Sequence, residues 1–205
     1  ESAEHALWFA GASFFGKGRL SGQSFKLEGW QAALLWQVYG WKRKDTKTRK
    51  YKQIYMKVAR KNGKTEFLSL IGNYGFTLEG FKAVERDPEI YWAATKKEQA
   101  KYGWTIQKSQ LQHLRNSSKK IANYSKILTH NIDTNKGTGF VRYLGKDSKT
   151  EDGLSPYYGL VDEYHEHPTD DMVNVLISGM GARVSPLLWI ITTAGFNPQS
   201  PCAQF

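Results

Sequence analysis

The sequence predicts an α/β fold in which a mainly parallel central sheet is flanked by helices. Three observations predict it. Short β-branched and aromatic runs alternate with longer stretches of helical spacing, the pattern of strands joined by helical crossovers. A strand-like run over residues 53–58 leads through a polar turn into Gly63-Lys64-Thr65 and a helix-like stretch. Two later apolar runs end in reactive side chains, one in Asp162-Glu163 and the other in Thr192-Thr193.

Taken in order, residues 1–24 are mixed, and Gly11, Gly16, Gly18 and Gly22 make them a flexible or turn-rich lead-in. Across residues 25–41, Trp30, Leu34, Leu35, Val38 and Trp41 recur at steps of about three and four, which predicts an amphipathic helix. Residues 42–51 read as a charged loop and 53–58 as a strand. Residues 65–81 read as a helix that Gly72 and Gly75 interrupt. After Pro88, residues 89–94 read as a strand, and 96–117 as a helix blemished by Gly103. Residues 126–129 and 139–144 are candidate strands, joined by a turn-rich piece, 131–138, suited to a hairpin. The apolar run 157–161 is a strand. Thr169, behind Pro168, is expected to cap a helix with Asp170 and Asp171 in its first turn, running to about residue 180. Residues 187–192 form a buried-type strand. The sequence displays no internal repeat, low-complexity segment or second domain, so residues 1–205 read as one domain with 1–24 as its lead-in.

A chain of 205 residues suits one sizeable core. Apolar content of 40% and a negative mean hydropathy describe a soluble globular protein. No apolar window reaches membrane-spanning length, so no membrane partner is expected. Glu1-Ser2-Ala3-Glu4 lacks both a basic and an apolar signal region, so secretion is not expected either. The missing initiator Met reads as a trimmed or unseen start, and residues 201–205 as a truncation or a natural end alike. Cys202 is the single cysteine, which rules out an internal disulfide and fits a reducing cytoplasm. Nothing near it in sequence supplies a base, so no catalytic thiol is expected.

The net charge of +10 points to a polyanionic partner, nucleic acid first. Its distribution says more. From Lys42 to Lys64 there are eleven Lys or Arg and one acid, Asp45; from Glu151 to Asp171 there are seven acids and no Lys or Arg. That segregation fits a chain that binds polyphosphate in one place and a metal in another. The basic run 42–52 reads first as a solvated loop, with DNA contact as its alternative. Trp30, Trp36, Trp41, Trp92 and Trp104 sit mostly at core spacing, which favours burial over base stacking.

Strand, turn and helix with Gly63-Lys64-Thr65 at the junction is the layout of a phosphate-binding loop. Backbone N–H groups at a helix N-terminus attract phosphate oxygens. Lys64 adds a point charge for the terminal phosphates and Thr65 a hydroxyl for magnesium. The usual first glycine is absent, Val58 standing in its place. The tripeptide alone also fits a basic turn closing a strand. The acidic strand argues for the loop. Ligands of open α/β sheets bind beyond the carboxyl ends of the strands. Successive residues on a strand point to opposite sides. Asp162 then faces a magnesium ion and Glu163 reaches an attacking water. Thr192 and Thr193 are expected at the same sheet edge, where a hydroxyl can sense the terminal phosphate, although a strand running into an ordinary turn gives the same pattern. His165 and His167 flank Glu166, which invites a zinc reading. Zinc needs three or four ligands, and with five His and no second cluster, local hydrogen bonding is the expected role.

Six segments in chain order then carry a resemblance. They are Leu27-Glu28-Gly29-Trp30-Gln31, residues 59–65 (Ala-Arg-Lys-Asn-Gly-Lys-Thr), residues 91–100, residues 152–156 (Asp-Gly-Leu-Ser-Pro), residues 161–167 (Val-Asp-Glu-Tyr-His-Glu-His) and residues 190–195 (Ile-Ile-Thr-Thr-Ala-Gly). Together they resemble the ATPase domain of the large terminase subunit of tailed bacteriophages, the motor that packages DNA into procapsids. The resemblance implies a P-loop NTPase of the RecA-like, ASCE type, with ATP and Mg2+ as cofactors. It implies that Gln31 reads adenine and that Arg60, Lys61, Asn62, Gly63, Lys64 and Thr65 form a variant ATP-binding loop. Lys64 and Arg60 then hold phosphates, Thr65 and Asp162 bind magnesium, and Glu163 activates water. Thr192 and Thr193 belong to a coupling motif linking hydrolysis to DNA movement. The implied partners are double-stranded DNA, a ring of identical subunits on a portal, and a small terminase subunit, in the cytoplasm of an infected bacterial host. An arginine supplied in trans is also implied, for which Arg142 and Arg183 are candidates. The family's nuclease segment is not encoded in this stretch. Two rival readings stand beside this one: a helicase-like P-loop ATPase, and a basic nucleic-acid-binding module with an inactive phosphate loop.

Overall fold

The computed structural model describes residues 1–82, 85–145, 153–195 and 200–204. Among these, the runs rich in Ile, Tyr, Trp and Val pair into one sheet. Its strands are β1 (Gln53–Lys57), β2 (Glu89–Ala93), β3 (Ser125–Ile127), β4 (Ile132–Thr134), β5 (Phe140–Leu144), β6 (Tyr158–Val161) and β7 (Leu187–Thr192). The order across the sheet is β1-β7-β6-β2-β5-β4-β3. The first five in that order run parallel, while β4 and β3 add antiparallel at one edge. Every residue of β6 and β7 is buried. That is the condition under which parallel strands read as unbroken apolar runs rather than as alternating ones.

Helices cover both faces. On one side α2 (Gly29–Gly40), α3 (Lys64–Phe76) and α5 (Lys97–Ser117) pack with Ile54, Met56, Trp92 and Trp189 into the larger apolar cluster. On the other, α7 (Asp171–Gly179) contributes Met172, Val173 and Leu176 to a second cluster with Val161, Leu188 and Ile190. The mainly parallel sheet flanked by helices is therefore as the sequence predicts.

Several elements differ from expectation. The lead-in is not flexible throughout. Residues Ser2–Gly11 form α1, which buries Ala3, Ala6, Phe9 and Ala10. Small residues make that apolar face, which is why the helical period is faint. The helix expected from residue 25 begins at Gly29, where Glu28 and Gln31 exchange side-chain and backbone hydrogen bonds in a capping box. Gly72 and Gly75 do not interrupt α3. A Cβ at Gly75 would lie 2.6 Å from the Tyr158 ring, so this glycine lets the helix lie directly on the sheet. The helix ends instead at Phe76, and α4 (Leu78–Phe81) follows as a separate turn. Gly103 of α5 has the same use against Trp92, at 2.2 Å. The turn-rich 131–138 contains β4, too short to show alternation, and Lys119–Tyr124 forms α6 after Ser118 caps it. Asp170, not Thr169, is the N-cap of α7, and the Thr169 hydroxyl donates instead to Asp171 Oδ2 at 2.7 Å. Trp92 and Trp104 are core as expected, but Trp36 and Trp41 are about half exposed, at 49% and 52%. The expected contribution of Asp152 lies outside the described residues.

Candidate active site

Register brings three strand ends together. Thr192 of β7 pairs with Lys57 of β1, and Val161 of β6 pairs with Ile190 of β7. The loop after β1 therefore stands beside Thr192-Thr193 and one strand away from Asp162-Glu163. Val58, just past β1, still donates its N–H to Thr192 O at 2.9 Å.

From Val58 the chain turns back through two left-handed residues, Lys61 (φ 66°) and Gly63 (φ 65°), before entering α3. Gly63 takes that conformation without strain, whereas Lys61 is held in it by the turn. Gly63 is the N-cap of α3 and no side chain caps this end. The first-turn N–H groups lack intrahelical acceptors, so they offer a site for anion oxygens. Lys64 is 7% exposed and folds back over the loop, its Nζ 3.4 Å from Ala59 O. Asn62 Nδ2 donates to Ala59 O at 3.2 Å and Arg60 O at 3.3 Å, bracing the turn from outside. Glu66 accepts from Gly16 N at 3.0 Å and Gln110 Nε2 at 2.7 Å, which locks the lead-in and α5 to the start of α3.

The Thr65 hydroxyl donates to Asp162 Oδ2 at 2.8 Å across a sequence separation of 97 residues. Glu163 N donates to the other oxygen, Oδ1, at 2.9 Å. Burial pushes the Asp162 carboxyl up to about 6, and the neighbouring Glu163 charge adds to the rise, while the Thr65 hydroxyl, the Glu163 N–H and Lys64 oppose it. A buried carboxylate beside a hydroxyl is a pair of hard oxygen donors, the chemistry that suits Mg2+. Glu163, two residues past β6, is in the left-handed region (φ 50°), strain of a kind that clusters at functional sites. Its carboxylate is turned toward His165, Oε2 lying 3.3 Å from Nδ1. The His165 ring also meets Thr192 Oγ1 at 3.0 Å and Thr193 Oγ1 at 3.3 Å.

Around these groups lies an open cleft of about 540 Å³. Arg60, Lys61, Gly63, Lys64 and Thr65 line one wall, and Glu163, His165 and Glu166 another. Gln99, from the segment 91–100, also reaches it, as do Lys17 and Tyr102, although nothing in the local sequence of these last two marks them. Lys17 comes from the lead-in, its Nζ 4.0 Å above the Tyr102 ring, and Gln99 donates to Glu166 Oε2 at 3.0 Å.

Gln31 is buried and its Oε1 accepts from Glu28 N at 2.9 Å, so it stands in the cap of α2 and not along this cleft. Arg183 is committed elsewhere. Its guanidinium donates to Ser155 O at 2.9 Å, Arg86 O and Asp87 O at 3.0 Å, and Glu89 Oε1 at 3.3 Å, beside the start of β2. A guanidinium so held within its own subunit is ill placed to serve another. Arg142 projects from β5 with its guanidinium carbon 4.0 Å from the Phe140 ring centre.

The sequence matches the family described as terminase large subunit, ATPase domain, over residues 29–205. It is similar to the terminase large subunit of Enterobacteria phage HK97, at 28% identity over 192 residues, which cover 88% of this chain and 34% of the relative. A shorter stretch of 57 residues is 53% identical to Protein YmfN of Escherichia coli strain K12, covering 28% of this chain and 12% of that protein. In fold, the chain is similar to the crystal structure of the HK97 bacteriophage large terminase, with a TM-score of 0.75 at 24% identity, over 97% of this chain and 39% of that one. It is also similar to the large terminase ATPase domain of Thermus phage P74-26, with a TM-score of 0.59 at 14% identity, over 89% and 72% of the two chains. The chain spans about a third of the length of the HK97 protein (34%).

Proposed function

Since this chain belongs to the family of terminase large subunit ATPase domains, we propose that it hydrolyses ATP with Mg2+ and that this drives double-stranded DNA into a viral procapsid. The observation that carries the reading is the 2.8 Å bond between Thr65 and the buried Asp162, beside the cleft that Lys64, Thr65 and Glu163 line. It supports a site in which the loop of residues 60–65 cradles the phosphates and Arg60 and Lys64 neutralise them. Thr65 and Asp162 would hold the magnesium ion. When bound, that ion draws charge from the phosphate oxygens. Glu163 holds the attacking water in line with the terminal phosphate. Gln31, through the capping box of α2, lies in the segment assigned to adenine. Thr192 and Thr193 pass the state of the site to the rest of the motor. The four groups Lys64, Thr65, Asp162 and Glu163 meet at one place, which speaks against a degenerate, inactive loop.

The whole protein would act as a ring of identical subunits on a portal, with a small terminase subunit, in the cytoplasm of an infected bacterium. Arg142, exposed on β5, is the better candidate for an arginine supplied in trans. DNA contact would run mainly through phosphates and therefore be independent of sequence.

Measured ATP turnover tests the site. Lys64→Ala and Glu163→Gln should each lower it by about a hundredfold or more, the loss seen when one preorganised charge or donor leaves a transition state. Normal turnover in either variant would sink the assignment.

A further inference from the structure

We infer that His165 is a positioning residue that ties the Glu163 carboxylate to the hydroxyls at the end of β7, an inference that rests on Glu163 being the group that orients water. His165 stands in the short turn Tyr164–Glu166, which follows β6 after Asp162 and Glu163, with its side chain only 11% exposed. Its backbone N–H donates to Thr192 Oγ1 at 2.9 Å, and its Nδ1 lies 3.0 Å from that same oxygen. Thr193 Oγ1 lies 3.3 Å from Nδ1 and 3.4 Å from Nε2. Glu163 Oε2 lies 3.3 Å from Nδ1 on the other side.

One arrangement of the protons accommodates these contacts. A hydroxyl has one proton to give and two lone pairs to receive. Thr192 Oγ1 donates its proton to Thr193 O at 3.0 Å; the Cys202 sulfur, 3.8 Å away, is the weaker acceptor. One lone pair takes the His165 N–H. With that proton given to Thr193 O, Thr192 receives from the ring, and in this arrangement Nδ1 carries the hydrogen. That single Nδ1–H then has two acceptors. One is a hydroxyl fixed to β7. The other is Glu163 Oε2, a buried oxygen with no hydrogen bond of its own. A slight shift of the β7 end relative to the β6 end moves the bond from one acceptor to the other. The direction of the Glu163 carboxylate is thereby set by β7, with no change of protonation.

Two measurements test the inference. Imidazole nitrogen NMR of the protein reports the His165 tautomer without any turnover. An Nδ1-protonated ring whose signal moves in Thr192→Val supports the inference; an Nε2-protonated ring, or a signal indifferent to Thr192→Val, overturns it. In ATP turnover, His165→Ala should lose about tenfold or more in kcat, with the KM for ATP and the affinity for a non-hydrolysable analogue unchanged. His165→Asn, whose amide N–H lies near the place of Nδ1–H, should recover most of that loss. Equal losses in both variants, or a loss confined to KM, overturns it. Full turnover in Glu163→Gln would instead overturn the reading of the site beneath it, a result the tautomer measurement does not share.

Discussion

Asp162 illustrates how a side chain can be costly to the fold and needed by the site. Its carboxyl is 5% exposed and pushed up to about 6, mainly by burial. In the unfolded chain it would titrate near its ordinary value of 3.8. Between these two pH values the folded chain keeps a proton that the unfolded chain has lost. The contribution of this group to stability is therefore greatest below pH 4, falls as pH rises to 6, and is flat above. A rise of about two pH units corresponds to roughly 3 kcal/mol. Asp162→Asn should consequently melt higher than the parent at pH 8 in the absence of Mg2+, with the gap closing toward pH 4, while losing ATP turnover. Thermal unfolding across pH checks this, and a parent that is the more stable at pH 8 would refute it. Lys64, Thr65, Asp162 and Glu163 were legible because each belongs to a local pattern with a chemical reason. Lys17 and Tyr102 were not, because only packing carries them to the cleft.

Among the elements, the basic segment 42–52 shows most clearly what local reading misses. The run reads as a solvated loop, and Lys42, Lys44, Lys47 and Lys50 are indeed exposed. Arg49 is not, being 3% exposed. It pairs with Glu79 and donates to Ser185 O, and its guanidinium lies 5.4 Å from the Tyr158 ring centre. Glu79 Oε1 also accepts from Tyr157 OH at 2.8 Å. Three distant segments meet at this cation, so nothing in its neighbourhood in sequence announces it. Removing one partner of a buried pair leaves an uncompensated charge, at a cost of about 3–5 kcal/mol. Arg49→Ala should lose stability on that scale, and Arg49→Met combined with Glu79→Gln should lose less. Denaturant midpoints decide it; a double variant weaker than the single would be contrary. The glycines of α3 and α5 make the reverse case. They read as helix defects, yet they are the contacts through which both helices lie against the sheet.

For the molecule as a whole, strand order decides which side chains meet at the cleft. Inserting β7 between β1 and β6 places Thr192 and Thr193 between the loop after β1 and Asp162-Glu163, where His165 touches both the threonines and Glu163. The proposed need for an arginine from another subunit gives a prediction at this scale: turnover per subunit should rise with protein concentration, and a constant specific activity would argue against it. DNA affinity, if carried by phosphates, should fall with salt with a logarithmic slope of about −0.9 for each phosphate neutralised. A salt-independent affinity measured by titration would contradict that.

The sequence alone determined the fold class, the strands that end in chemistry and the loop that follows β1. Periodicity, turn residues and the spacing of charged side chains are local properties, and these features depend on little else. Tertiary structure decided which side chains share the cleft, that Gln31 caps a helix, that Arg183 is held internally, and that His165 stands between Glu163 and Thr192. Those outcomes depend on strand order, register and burial, which bring together residues that have no reason to be neighbours in the chain.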